Sequence, residues 1–232
     1  MYTTSATWNT LIAGQHRFET RVDINGVSYY DSDIISMSVD LNMFDSSQPG
    51  VGGCLSGELS LSLLAPSAAI PRMATVNPYV RATDGTTTSE WVPQGKFFID
   101  TRETTKNDDG LPVLTLHCFD AMLKTEADYP STSHSWAYPD ISVVNEIATT
   151  IGVGVDARTT ALMTNAYAVP LPVGMTMRET LSAIAGMYAG NWIMSYDGEL
   201  LLIPVNGIPP ETNYLVDQVG DAITFGGDRI LV

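Results

Sequence analysis

Hydrophobic and polar residues alternate with a period of two through the first half of the chain. Phe18, Thr20, Val22 and Ile24 alternate with Glu19, Arg21 and Asp23, which puts one set on each face of a strand. Asn25-Gly26 supplies a tight hairpin turn, and the strand resumes at Val27 to Tyr30. Ile35, Met37, Val39 and Leu41 alternate with Ser36, Ser38, Asp40 and Asn42, the pattern of a half-buried strand. Leu59, Leu61 and Leu63 repeat it against Ser60 and Ser62. Two more strands, within Val92 to Arg102 and Val113 to Phe119, flank the polar turn Asn107-Asp108-Asp109-Gly110. Antiparallel strands joined by polar turns predict a barrel or sandwich.

The period changes after Tyr129-Pro130. Residues 131–138, STSHSWAY, read as a polar and aromatic linker. Pro139 then opens a helix with Ile141, Val144, Ala148 and Ile151 on one face, and Gly152 stops it. A short β-like piece, Gly152 to Val155, precedes an irregular, proline-rich stretch from Ala166 to Gly174. Thr176 and Glu179 have the spacing of a capping box. Met177, Leu181, Ile184, Ala185 and Tyr188 form one apolar stripe, while Ala183, Gly186 and Ala189 leave a flank that another backbone can approach. Gly190 is the natural left-handed stop, and Trp192–Tyr196 pairs with Glu199–Ile203 across a two-residue Asp197-Gly198 turn. The run Leu200 to Ile203 is apolar throughout, so both faces of that strand should be covered.

The fold class predicted is α+β: an N-terminal antiparallel β-barrel over residues 1–128, an α+β domain of two helices and a hairpin over 129–205, and a segment 206–232 that reads as the start of a further β domain. The segment Thr176 to Val205 has well-specified local structure but only four charged residues and no His or Cys, so it reads as a packing module.

Charge narrows the function. The 232 residues include 11 Lys and Arg against 26 Asp and Glu, a formal net charge of −15. Residues 1–125 carry 8 basic and 14 acidic residues (−6), and residues 126–232 carry 3 and 12 (−9). Such a chain cannot neutralise phosphates over a broad face, which speaks against tight nucleic-acid binding and against an anionic membrane surface. The start, MYTTSATWNTLIAG, lacks a signal-peptide pattern, and no stretch approaches the ~20 apolar residues of a membrane span. Cys54 and Cys118 are either two buried thiols or one disulfide.

Candidate chemistry is sparse. His16, His117 and His134 lie in different elements, and His117 and Cys118, adjacent on a strand, point to opposite faces. No metalloprotease, nucleophile-elbow, phosphate-loop or calcium-loop motif is present, and PGVGG around Gly50, Gly52 and Gly53 lacks the Lys-Ser or Lys-Thr of a phosphate loop. Asp31 with Asp33, and Asp108-Asp109, fall at turns where Asp is structurally favoured. No catalytic residue, cofactor site or metal site is assigned. The connection Met43 to Gly57 is long for a compact domain; it reads either as a mobile surface loop or as a functional or interface element.

Gly95-Lys96-Phe97-Phe98-Ile99-Asp100, followed by LTLHCFDAMLKTEADYP and TMRETLSAIAGMYAGNWIMSYDGELLLIP, resembles the tail hub proteins of bacteriophages and prophages. The positions that carry the resemblance are Cys118, Asp120, Met122 and Lys124; Arg178, Glu179, Leu181, Ile184 and Ala185; and Gly190, Asn191, Asp197, Gly198 and Leu200. It spans roughly residues 90–205 and is looser over 15–90. The resemblance implies a non-enzymatic virion protein of the tail tip, assembled in the host bacterial cytoplasm. Its tail-tube-like barrels would form a homotrimeric ring that continues the tube, beside partners such as the distal tail protein and the tape measure. DNA would pass through without specific binding, repelled by the acidic surface. No membrane insertion by this chain is implied. Met43, Phe44, Gln48, Pro49, Val51 and Leu55 become candidate subunit-interface residues. Family hubs usually run longer, so the chain reads as a minimal hub or a fragment. Two alternatives stay open: an aromatic-rich module binding a cell-surface glycan, and a peptidoglycan-degrading or peptidase tail enzyme.

Overall fold

The structure is a computed structural model that describes residues 3–42, 50–64, 66, 70–130 and 136–205, with the backbone of 224–225 and 228–229. A helix α1 (Ala6–Ala13) precedes the strands β1 (Arg17–Ile24), β2 (Val27–Tyr30), β3 (Ile34–Asp40), β4 (Glu58–Leu64), β5 (Thr75–Thr83), β6 (Val92–Pro93), β7 (Phe97–Lys106) and β8 (Pro112–Asp120). A 3-10 turn, Ala121–Glu126, leads to β9 (Tyr138–Pro139), α2 (Asp140–Ile151), α3 (Ala157–Leu162), β10 (Ala168–Val169), α4 (Met177–Met187), β11 (Gly190–Met194) and β12 (Leu200–Pro204). Residues Thr224–Phe225 (β13) and Asp228–Arg229 (β14) pair as a short antiparallel ladder.

The first eight strands form one antiparallel sheet in the order β2-β1-β5-β7-β8-β4-β3, with β6 on β5. This corrects the barrel expected from the sequence: the sheet is open. Its two end strands, β2 and β3, follow one another in the chain across Asp31–Asp33, yet no backbone pairing joins them among the described residues. β2 is only four residues long, and β3 carries a register break between Ile34 and Ser36. The break also explains a local correction. Ile35 was expected inside with Met37 and Val39, but the extra residue rotates it out to 53% exposure and leaves Ile34 packed on the core.

Alternation holds along the middle of the other strands, while Phe18 near the start of β1 and Leu41 just past β3 are exposed. Val22, Ile24, Leu59, Leu61, Leu63, Phe97, Leu116 and Cys118 face one shared core. Asn25 and Gly26 both take positive φ, 48° and 83°, so the first hairpin closes with the two-residue primed turn.

A second core gathers Val143, Val144, Ile147, Leu181, Ile184, Trp192, Leu200 and Leu202, together with Cys54, Ala121 and Met122 from the sheet side. The helix α2 ends in a left-handed Gly152, and α4 starts with the full capping box, Thr176 with Glu179. Leu200, Leu201 and Leu202 are all buried, so both faces of β12 are covered. Three details differ from the sequence reading: a third helix, α3, lies between the two expected, started by the Asp156 side chain on Arg158 N–H, and two turns are built differently. Ala189, not Gly190, takes the left-handed position after α4, at φ 48°. Gly190 instead lies where a Cβ would meet the Ile203 carbonyl oxygen at 2.8 Å, so the hairpin needs its missing side chain. The Asp197-Gly198 turn has three loop residues: Gly198 N–H reaches Ser195 O, Ser195 N–H reaches Glu199 O, and only Gly198 has positive φ. On the small-residue flank, no atom comes within contact of a Cβ built on Gly186, and Ala183 is exposed.

Candidate functional site

The residues that carried the sequence resemblance converge on the junction between the two cores. Cys118 lies in the sheet core and points inward. Two positions on, Asp120 is 3% exposed and accepts hydrogen bonds from Gly57 N–H (2.6 Å), Ser56 Oγ (2.9 Å) and Met122 N–H (2.9 Å). It caps the 3-10 turn and pins the end of the long connection. Burial raises its carboxyl above the ordinary range, and the three hydrogen bonds oppose that rise. Met122 is fully buried in the second core beside the Cys54 thiol, Sγ to Sδ 3.1 Å. The Lys124 ammonium sits 3.8 Å from the Phe98 ring centroid and donates to Ile151 O, the last carbonyl of α2.

Arg178 closes the junction from the other side. It donates to Met122 O at 3.0 Å and pairs with Glu126 at 3.0 Å. Backbone bonds from Tyr129 N–H to Met175 O and from Met177 N–H to Ala127 O add a short seam. The hydrogen bonds of this cluster run across the junction and tie the strand end, the 3-10 turn and α4 together.

The long connection is the second element of the junction. Met43, Phe44, Gln48 and Pro49 lie outside the described residues; Val51 is 56% exposed, and Leu55 is half-buried. From Gly50 onward the chain runs alongside β11 in parallel. Gly52 N–H bonds Gly190 O, Trp192 N–H bonds Gly53 O, and Leu55 N–H bonds Trp192 O. Asn191, 1% exposed, holds the segment with its side chain: Oδ1 accepts from Gly53 N–H at 2.6 Å and Nδ2 donates to Gly50 O at 2.8 Å. Gly53 must lack a side chain, because a Cβ there would meet Asn191 Oδ1 at 2.8 Å. The sequence signal for this clamp was the Gly190-Asn191 pair, which local pattern alone reads only as a helix end.

Catalytic geometry is thin. Cys54 and Cys118 are separate buried thiols, and burial pushes each up to about 12, far from a reactive thiolate. His117 is exposed on the face opposite Cys118. It does approach Ser60 Oγ, at 3.3 Å from Nδ1, a pairing that sequence reading did not anticipate. The pair stands on the open outer face of the sheet, and no carboxylate holds the other ring nitrogen among the described residues, so it lacks the orienting acid of a hydrolytic triad. Asp31 accepts from Thr20 N–H, and Asp33 from Tyr30 N–H: both serve the turn. Among the described residues no group of three or more His, Cys, Asp or Glu is placed to hold a metal ion, and no helix is long and apolar enough to cross a membrane.

Most aromatic side chains among the described residues are buried or half-buried. Trp192 is fully buried with its Nε1–H on Leu181 O, and Trp136 packs edge-on between Tyr129 and Tyr138 against the second core. Trp91 lies against the guanidinium groups of Arg81 and Arg21, at 4.3 and 5.0 Å. Among the described residues, Trp8 and His16 contact the Phe18 ring, 53% exposed, and Tyr188 packs edge-on with Tyr167, 41% exposed.

No protein-family model and no curated protein matches the sequence. Solved structures do resemble the fold. The tail protein from Neisseria meningitidis MC58 superposes with a TM-score of 0.56 at 13% identity, covering 88% of this chain and 58% of that one. The 43 kDa tail protein of prophage MuSo2 from Shewanella oneidensis gives 0.54 at 13% identity, covering 91% of this chain and 62% of that one. The chain therefore spans less than two thirds of either protein, and what it shares with these phage tail proteins is the fold.

Proposed function

We propose that this chain is a structural component of a phage or phage-like tail tip, a hub whose sheet domain continues the tail tube as an oligomeric ring. The observation that carries the reading is the open sheet, in a fold shared with two phage tail proteins. An unclosed sheet leaves backbone donors and acceptors on its end strands, and pairing with a neighbouring copy satisfies them. A homotrimer is the proposed assembly. Met43, Phe44, Gln48, Pro49, Val51 and Leu55 are the proposed contact with a neighbouring subunit or ring, Val51 standing exposed beside the clamp. The distal tail protein and the tape measure are the proposed neighbours along the axis.

The net charge of −15 fits a conduit. DNA phosphates are repelled by an acidic wall and slide without being held. The role is non-enzymatic on this reading: Asp120, Lys124 and Arg178 at the junction each hold backbone groups. Light scattering over a wide concentration range, with electron-microscope images of the same samples, tests it. Threefold rings with an open lumen support the hub; a particle that stays monomeric at every concentration removes it.

A further inference from the structure

The outer face of the large sheet is divided in two by its side chains. Across β3, β4, β8 and β7 the register sets two rows, Ser36–Ser62–Thr115–Glu103 and Ser38–Ser60–His117–Thr101. Leu61 and Leu116, their neighbours along the strands, sit in the sheet core, so the two rows share the opposite face. Six of these eight positions carry a hydroxyl, and Ser62 Oγ meets Thr115 Oγ1 at 3.3 Å as Ser60 meets His117. Asp40 and Glu58 pair at the end of the same face. No Lys or Arg occurs between Arg21 and Arg72, so β3 and β4 bring no cation. Arg102 of β7 stands opposite the buried Leu116, which puts it on the core side, and it donates to Ile70 O at 2.6 Å.

The β1–β5 part of the sheet turns a different surface outward. Arg17, Glu19, Arg21 and Asp23 alternate with Val22 and Ile24 of the core. Arg21 and Arg81 both lie against the Trp91 ring, at 5.0 and 4.3 Å, and Arg21 also covers Tyr79 at 4.3 Å. This half is charged and aromatic, as a solvated sheet face commonly is; the other half is short, flat and hydroxylated.

We propose that the hydroxyl face of β3, β4, β8 and β7 is the wall past which DNA moves, and that the β1–β5 face turns to the outside of the ring. The inference rests on the tail-tip reading and says which surface of the sheet that reading needs inside. A duplex carries one phosphate charge per roughly 1.7 Å of its axis, so every guanidinium or ammonium on the wall would hold it. Serine and threonine keep the wall hydrated without a cation, and Asp40, Glu58 and Glu103 add repulsion. The β1–β5 face would do the reverse. Arginines beside aromatic rings grip nucleic acid by charge and stacking, and the Arg17 side chain is 71% exposed.

Cysteine labelling of the full chain tests the assignment, since Cys54 and Cys118 are both buried. Ser60→Cys puts a thiol on the proposed wall, and Arg17→Cys puts one on the β1 face. Each variant is treated with a small maleimide dye and with a maleimide on a long polyethylene glycol chain, at concentrations that light scattering shows to lie below and above assembly. Both positions are exposed in the single chain, so both reagents should reach both thiols there. In the particle, Ser60→Cys should keep the dye and lose the polymer, while Arg17→Cys keeps both. Polymer labelling of Ser60→Cys in the particle, loss of the dye there as well, or loss of the polymer at Arg17→Cys overturns the assignment and leaves the ring standing. A chain that scatters as a monomer throughout removes the tail-tip reading and this inference with it.

Discussion

The two β-structures of this chain treat their edges in opposite ways. The β11–β12 hairpin is covered on both sides: Gly52 to Leu55 runs along β11, and Gly154 to Asp156 runs along β12, with Leu200 N–H on Gly154 O and Asp156 N–H on Leu200 O. Thr159 Oγ1 even takes the N–H of Leu202. The large sheet ends instead in β2 and β3, whose outer edges pair with no further strand among the described residues, and the β7–β5 ladder covers just Phe97 and Phe98. The same chain therefore completes one sheet and leaves another incomplete. Burying the small hairpin forces every backbone group to be paired, because an orphan there costs the full desolvation penalty. The large sheet exposes its edges to water, where they cost nothing until a partner replaces the water.

Substitutions break this contrast in a definite order. Asp120→Ala should cost most, about 3 kcal/mol or more, because it strands the buried N–H groups of Gly57 and Met122; a urea titration reads it. Asn191→Ala should cost about 2 kcal/mol and raise amide exchange at Gly53 by releasing the clamp over β11. Thr176→Ala removes half of the capping box on α4 and should cost about 1 kcal/mol.

A smaller effect depends on pH. The bond from Arg158 holds the Asp156 carboxyl below its usual range. Stability from that pair is present above the ordinary carboxylate pKa and is lost as pH falls through the depressed one. Asp156→Asn should therefore cost roughly 0.5 kcal/mol at pH 7, screened by solvent, and the gap between the two melting curves should close in acid. Asp120 has the opposite sign. With its pKa raised, the linked stability is greatest at low pH and declines as pH rises through that value. Smallest for the monomer is Ile35→Lys on the β3 edge, within about 0.5 kcal/mol, though it should weaken self-association.

Much of the architecture was legible because short-range rules decide it. The alternation of Leu59, Leu61 and Leu63 places them in the core, and Thr176 with Glu179 marks the start of α4. Asn25-Gly26 and Asp197-Gly198 look alike in sequence but close different loops, since only the first pair puts both residues at positive φ. The bulge at Ile35 was hidden because one inserted residue leaves the hydrophobic alternation intact while turning the side chain outward. The α1 helix was missed for a related reason: only Leu11 is buried, so no apolar stripe announces it. Least legible was the clamp of Gly50 to Leu55 on β11, a pairing of segments far apart in sequence and recorded locally only by small residues and one Asn.

On the function proposed above, the uncovered edges of the large sheet are seams between copies, whereas the covered hairpin is closed within one chain. Amide hydrogen exchange at two protein concentrations, one far above the other, tests it most directly. The account predicts that amides of Ser36 to Val39, and of β2, gain protection as concentration rises. Amides of Leu55 and Trp192 should be protected equally at both. Edge amides that exchange at the same rate at both concentrations would contradict it.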